Sequence, residues 1–188
     1  MAAGCWLSFI DTLIKKNYLM KMELPPGYAL TVSGSEMVLS APGGLRAEHF
    51  YDSKLVAVTV EGVAVKVEAK EKLTRKVQSA VRTTEAHIRN MVKGLGKNYE
   101  KKLSLVYAHF PVSLEVKGDM LMIKNFLGEK KPRKAAIVGK TKIKVAGQEI
   151  VVEGPDKDAV GQTANNIAKA VRITNKDNRV FQDGIYYS

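Results

Sequence analysis

Residues 30–39, LTVSGSEMVL, have a counterpart at residues 114–123, LEVKGDMLMI, with the glycine and all but one of the apolar positions shared, Met120 standing against Glu36. In both, apolar residues alternate with polar ones up to a glycine and resume after it. This is the pattern of two antiparallel strands joined by a tight turn, with one face on a core. Leu30, Val32, Gly34, Met37, Leu39 and Gly44 match Leu114, Val116, Gly118, Leu121, Ile123 and Gly128 at a constant offset of 84, from 30 to 114 and from 44 to 128. Farther on the offset becomes 85, where Val58, Val60, Gly62, Val65, Val67 and Glu68 match Ile143, Val145, Gly147, Ile150, Val152 and Glu153. One hairpin resembles another by chance, but this many residues agreeing at one spacing mark a duplicated module.

In each half the period then changes. Leu73, Val77, Ala80 or Val81, Thr84, Ile88, Met91 and Leu95 recur at three and four, as one face of a helix that closes at Gly94 or Gly96. In the second half Pro155-Asp156 opens a shorter helix, with Asp156 as N-cap and Val160, Ala164, Ile167 and Val171 as its buried stripe. The pattern predicts an α+β fold, a tandem duplication of a small domain with antiparallel β-sheet hairpins and one late α-helix each. The halves should superpose Leu30 on Leu114, Gly62 on Gly147 and Ile88 on Ile167. The expected divisions are 1–21 as an N-terminal extension, 22–110 as the first domain and 111–188 as the second. Tyr99 to His109 is expected to be a strand closing the first domain, with the join at Pro111, which forces extended geometry on the residue before it.

At 188 residues with 45% hydrophobic and 26% charged, the chain has material for one or two cores, which excludes disorder as its main theme. Thirty Lys and Arg against nineteen Asp and Glu leave +11, so polyanions are the expected partners: RNA, DNA or an anionic membrane. Cys5 alone supports no intramolecular disulfide, no multi-cysteine zinc site and no CxxC motif, which suits a reducing compartment. No apolar run approaches the roughly 18 residues of a spanning helix. Met1 to Leu13 lacks a basic start, and Ser8, Asp11 and Thr12 interrupt it, so it does not read as a signal peptide. Trp6, Phe9, Ile10, Leu13 and Ile14 suit one face of a short helix that is marginal alone. The extension is expected to contribute little to function, and Met20 and Met22 offer later starts for translation.

The constellations of an enzyme are missing. Gly139-Lys140-Thr141 resembles the end of a P-loop, but Lys134 stands where its first glycine belongs. Gly94-Leu95-Gly96 follows a helix rather than a strand, the wrong place for a dinucleotide fingerprint. His49, His87 and His109 are scattered without metal-ligand spacing, and Cys5 has no scaffold to hold it against a base. No cofactor, metal or catalytic residue is expected. Nor is there a GxxG loop of the KH type or an aromatic stacking strand of the RRM type.

What remains is where the charge sits. Lys130, Lys131, Arg133, Lys134, Lys140, Lys142 and Lys144 lie within nineteen residues that hold one acid, Glu129, and Pro132 suggests that Lys130 to Lys134 form an exposed loop offered to phosphates. A second cluster, Lys169, Arg172, Lys176 and Arg179, runs into Phe181, Tyr186 and Tyr187. On an extended tail, arginine and aromatic rings can pair with phosphates and stack on splayed bases. The competing reading is a solvated charge run, with Phe181 and Ile185 packing a terminal strand. Arg75, Arg82 and Arg89 share a stripe on the first helix, read as its solvated outer face.

Asn125-Phe126-Leu127-Gly128-Glu129-Lys130 and Arg179-Val180-Phe181-Gln182-Asp183-Gly184-Ile185-Tyr186, taken with the duplication, resemble the ribosomal protein L-six family of the large subunit in its archaeal and eukaryotic form, called L-nine in eukaryotes. The resemblance runs from Met22 to Tyr187. It implies two copies of a small α+β domain, no enzymatic activity, and binding to large-subunit rRNA chiefly through the second domain, near the sarcin-ricin loop and the docking site of translational GTPases. It implies rRNA contacts at Lys130, Lys131, Arg133 and Lys134 and at Lys176, Arg179 and Phe181. The charge pattern adds Lys140, Lys142 and Arg172. Neighbouring ribosomal proteins are implied partners, in a cytoplasmic ribosome, with no membrane and no obligate homo-oligomer. Members of this type begin near Met22-Glu23-Leu24-Pro25, so Met1 to Lys21 is extra. The stop at Ser188, without the basic extension of some eukaryotic relatives, favours an archaeal source. The alternative is a free-standing basic protein that binds nucleic acid or an anionic membrane surface; a small hydrolase or transferase would need to bind a metal or nucleotide.

Overall fold

The duplicated pattern folds as two units, Met1–Gly96 and Lys97–Ser188. The computed structural model describes residues 20–42, 45–70, 74–107, 110–174, 176–177 and 179–188. The expectations for residues 1–19, Gly44, Leu73 and His109 lie outside the described residues.

In the first unit the alternating segments form two antiparallel sheets. Strands β2 (Ala29–Ser33), β3 (Glu36–Ser40) and β4 (Arg46–Phe50) lie in the order β2-β3-β4. Gly34 turns the first hairpin at φ +63°, a left-handed geometry that glycine alone adopts freely. Strands β1 (Met20–Glu23), β5 (Val56–Glu61) and β6 (Ala64–Ala69) lie in the order β1-β6-β5. Helix α1 (Arg75–Gly96) buries Val77, Val81, Thr84, Ile88 and Met91, and it passes through buried Gly94 to end at Gly96. Met37, Leu39, Val56, Val65, Val67, Val81 and Ile88 are fully enclosed in this unit's core.

The second unit repeats both orders and adds a fourth strand to one of the sheets. Strands β8 (Ser113–Lys117), β9 (Met120–Lys124) and β10 (Arg133–Ala136) lie as β8-β9-β10, with Gly118 at φ +55° where Gly34 turns the first hairpin. Strands β7 (Tyr99–Val106), β11 (Lys142–Ala146), β12 (Glu149–Gly154) and β13 (Gly184–Tyr187) lie as β11-β12-β7-β13. Helix α2 (Lys157–Ala170), the shorter helix, is capped as expected: Asp156 accepts from the backbone N–H of Asp158 at 3.0 Å and of Ala159 at 3.3 Å. Its stripe of Val160, Ala164 and Ile167 packs with Leu103, Leu121, Ile123, Phe126 and Ile150.

The structure departs from the pattern in three places. Tyr99–Val106 does not close the first unit: it pairs with β12 and β13. Met22 faces Val65 in the first unit and Leu103 faces Ile150, the match of Val65, in the second, so β7 stands where β1 stands and opens its own unit. The join therefore falls between Gly96 and Lys97, not at Pro111. Met20 and Lys21, assigned to the extension, belong to β1, where Met20 packs against the core. The third departure is length. Five residues, 41–45, join β3 to β4, whereas eight, 125–132, join β9 to β10, and these include a single 3-10 turn, Phe126–Gly128.

Candidate nucleic-acid interface

The longer connection is built around a tightly wound turn. Asn125 (φ +60°), Leu127 (φ +51°) and Gly128 (φ +74°) all take left-handed backbone angles, which for a bulky residue such as Leu127 is strained. Two anchors hold the turn: Phe126 is buried in the core, 1% exposed, and the Asn125 side-chain amide donates to the Pro111 carbonyl at 2.9 Å. A Cβ at Gly128 would meet the Phe110 ring at an ordinary contact distance of 3.4 Å, so it is the left-handed backbone there, not space, that calls for glycine. The turn sends Lys130 and Lys131 outward, both exposed, before the chain enters β10.

Arg133 does not sit in a free loop. It starts β10, opposite Ile123, and its side chain as a whole is three-quarters covered. Nε donates to Glu129 Oε2 at 2.9 Å and Nη2 to Glu129 Oε1 at 2.6 Å, a two-point fork. Nη1 donates to the carbonyls of Ala170 at 3.0 Å and Arg172 at 3.2 Å, at the C-terminal end of α2 where helix carbonyls lack partners. The guanidinium carbon lies 4.6 Å from the Phe126 ring centroid. Arg133 thus ties the basic loop to the end of α2, and its cation is largely spent inside the protein.

Glu129, the one acid of the cluster, is the other half of this clasp. Hydrogen bonds from Arg133 hold its carboxyl below the ordinary glutamate range, and the charges of Arg133 and Lys176 add to the effect. Glu129 in turn raises the Arg133 pKa. Because the folded-state pKa of Glu129 is depressed, its contribution to stability is complete above the unfolded value and is lost as pH falls through the folded one. Acid titration followed by melting should show the second unit losing stability below the ordinary glutamate range, with Glu129→Gln reducing that loss.

The tail comes to the same place, though not as an extended segment. Asp177 gathers it into a turn: its side chain accepts from the Arg179 N–H at 2.9 Å, and its carbonyl from Val180 at 3.1 Å and Phe181 at 3.0 Å. Lys176 Nζ lies 4.5 Å from the centroid of the half-buried Phe181 ring. Ile185 is buried in β13, as the packing reading has it. Arg172, Lys176 and Arg179 are exposed. Between the end of α2 and β13 is a cavity of about 510 Å³, with Lys169, Arg172, Phe181, Asp183 and Tyr186 among its lining residues.

The remaining cations lie along α2. After Arg133 meets Ala170, the Ala136 carbonyl accepts from the Asn166 amide at 3.0 Å, and the Val138 N–H donates to Thr163 Oγ1 at 3.0 Å. The chain therefore runs antiparallel to the helix, one turn at a time. Lys134 is exposed on β10. Lys140 sits in the turn at Gly139, beside Ala159, and Lys142 is exposed on β11. From Ala159 to Ala170 is about 16 Å of helix, which separates Lys140 and Lys142 from the loop and tail group. Lys144 is paired with Glu153 at 2.8 Å.

The sequence reading missed Glu129 as an anchor, although its spacing of four from Arg133 is visible. It also missed Lys101, whose Nζ lies 4.9 Å from the Tyr187 ring centroid across β7 and β13. His49 and His87, read as scattered, face each other with ring centroids 3.7 Å apart. Among the described residues, no helix is long and apolar enough to cross a membrane.

Residues 110–184 match the family model described as Ribosomal protein L6. A large ribosomal subunit protein uL6 from Methanosarcina mazei is 42% identical over 172 residues, covering 91% of this chain and 96% of its own length. Proteins of the same name from Desulfurococcus amylolyticus and Methanocella arvoryzae are 40% and 42% identical, each over 88% of this chain and over 91% and 93% of their own lengths.

Proposed function

The chain belongs to the ribosomal protein L6 family, and from that premise we propose that it is a structural, non-enzymatic constituent of the large subunit of cytoplasmic ribosomes that binds large-subunit rRNA. Binding runs mainly through the second unit, near the sarcin-ricin loop and the region where translational GTPases dock, beside neighbouring large-subunit proteins. The observation that carries this reading is the clasp of Arg133 and Glu129 on the end of α2, which brings the loop of Lys130 and Lys131 to the Ala170 and Arg172 backbone, where the charge of Lys176 also acts on Glu129. Overall charge supports it, since Lys97–Ser188 holds seventeen basic and ten acidic residues, +7 of the +11.

Within the site the two groups act differently. Lys130, Lys131 and Lys134 are point charges on phosphates, with Lys140 and Lys142 extending the strip along α2. Lys131→Ala should weaken binding almost independently of RNA sequence and lower the salt slope by about one. Arg179 offers a planar fork that lysine lacks, so Arg179→Lys should lose roughly 1 to 3 kcal/mol of binding at equal charge. Parent-like binding by Arg179→Lys, with loss in Lys131→Ala, would reduce the tail to a packing element. A footprint of the protein on naked large-subunit rRNA tests the reading as a whole. Protection confined to one compact region supports it, whereas diffuse protection that vanishes in high salt identifies a free-standing polyanion binder.

A further inference from the structure

We infer that the first unit carries its own RNA-backbone site, the exposed ridge of helix α1. This rests on the rRNA-binding reading and extends it to the unit which that reading leaves idle. Met1–Gly96 holds thirteen basic and nine acidic residues, a net +4. Helix α1 alone holds five basic residues, Arg75, Lys76, Arg82, Arg89 and Lys93, and one acidic residue, Glu85. Outside the helix the unit is balanced, eight against eight, so its entire net charge is concentrated on one helix.

The charge is also aligned. At 100° per residue Arg75, Arg82, Arg89 and Lys93 fall within about 40° of one line, opposite the buried stripe of Val77, Val81, Thr84, Ile88 and Met91. All four are exposed, and only Arg89 has an ion-pair partner among the described residues, Glu85. Ser79 and Ala86 lie between the cations, so the ridge alternates long basic and small residues along about 27 Å. Small side chains allow a phosphodiester chain to approach the helix while guanidinium groups reach its oxygens from either side. None of the exposed large hydrophobic residues among the described residues lies on α1. The ridge therefore lacks the apolar centre of a protein interface, and charge complementarity selects nucleic-acid backbone over a protein partner.

The test uses the full chain and large-subunit rRNA freed of its proteins. The variant Arg75→Gln/Arg82→Gln/Lys93→Gln keeps the Arg89–Glu85 pair and alters only exposed positions. At about 0.7 to 0.9 per phosphate it should lower the salt slope by about two to three and weaken binding at least about a hundredfold at 0.1 M salt. Arg75→Lys/Arg82→Lys should keep the parent slope. A loop variant, Lys130→Ala/Lys131→Ala/Lys134→Ala, is measured alongside. If the helix variant keeps the parent slope while the loop variant loses it, the ridge is not a site and the proposed function stands. Loss in the helix variant alone keeps the ridge and removes the second-unit site; loss in neither overturns both. Parent-like binding to naked rRNA with failed incorporation into subunits would assign the ridge to a protein partner and overturn the inference. Should the triple variant melt early by circular dichroism, Arg75→Gln and Arg82→Gln taken singly must each lower the slope by about one, and unchanged slopes refute the ridge.

Discussion

Arg133→Lys is expected to destabilise the second unit by about 2 kcal/mol and to weaken rRNA binding without changing the salt slope. The substitution keeps the charge, so a loss that came only from electrostatics would not appear. What lysine cannot keep is the geometry. The fork to both Glu129 oxygens, the two bonds from Nη1 to the carbonyls of Ala170 and Arg172, and the face laid on Phe126 all need a planar group with several fixed donors. A charge-assisted hydrogen bond is worth about 1.5 to 3 kcal/mol when its partner is desolvated; the half-exposed Glu129 side keeps the expected total near the lower end. Arg133→Ala should cost more and also free Glu129 to repel phosphate. Melting curves and the slope of binding against salt separate the two roles: a direct phosphate contact would lose about one unit of slope in the alanine variant while leaving stability intact. Arg133 is a positioning residue if Arg133→Lys loses affinity at constant slope.

The largest loss of stability should follow Phe126→Ala, at about 3 to 5 kcal/mol. The ring is 1% exposed and packs in the core of the second unit, and it also floors the guanidinium of Arg133. Removing it leaves a cavity and takes away the anchor that holds Leu127 in a strained left-handed backbone. The loss should be confined to one transition, since Phe126 belongs to the core of Lys97–Ser188. Calorimetry checks this: a single transition lowered throughout would mean that the two units unfold as one. Phe126→Leu, which keeps most of the volume, should recover much of the stability but not the cation–ring contact.

The parts of the fold that were legible are those whose information is local. The Gly34 and Gly118 hairpins follow from alternation and a left-handed turn, and α2 from Asp156 and a period-3.6 stripe. Strand β7 was assigned to the wrong unit because Leu103 and Leu105 announce a strand but not its partner, and its partners β12 and β13 lie more than forty residues away. Pro132 made Arg133 and Lys134 look like loop, while only one residue of β10, Ala135, is buried to mark a strand. At the site, composition located the two basic clusters. Their meeting depends on the carbonyls of Ala170 and Arg172, backbone acceptors that every residue has and no residue type advertises. The turn around Asp177 was visible in principle, since an aspartate two residues before Arg179 is an ordinary way of bending a chain.

The unequal lengths of the β3–β4 and β9–β10 connections have a consequence of their own. The two units share their strand orders, so the first serves as a control for what the scaffold requires: five residues suffice to close that sheet. The three surplus residues of the second are therefore not needed to close a sheet of this order, and Phe126 and Asn125 fasten the longer path to its own unit. The cost of lengthening a closed connection grows only slowly with its length, roughly as a logarithm, so the extra residues themselves weigh little on folding. A molecule that contains its own template twice can keep this connection short in one copy and elaborate it in the other, without disturbing the strand order that both copies share.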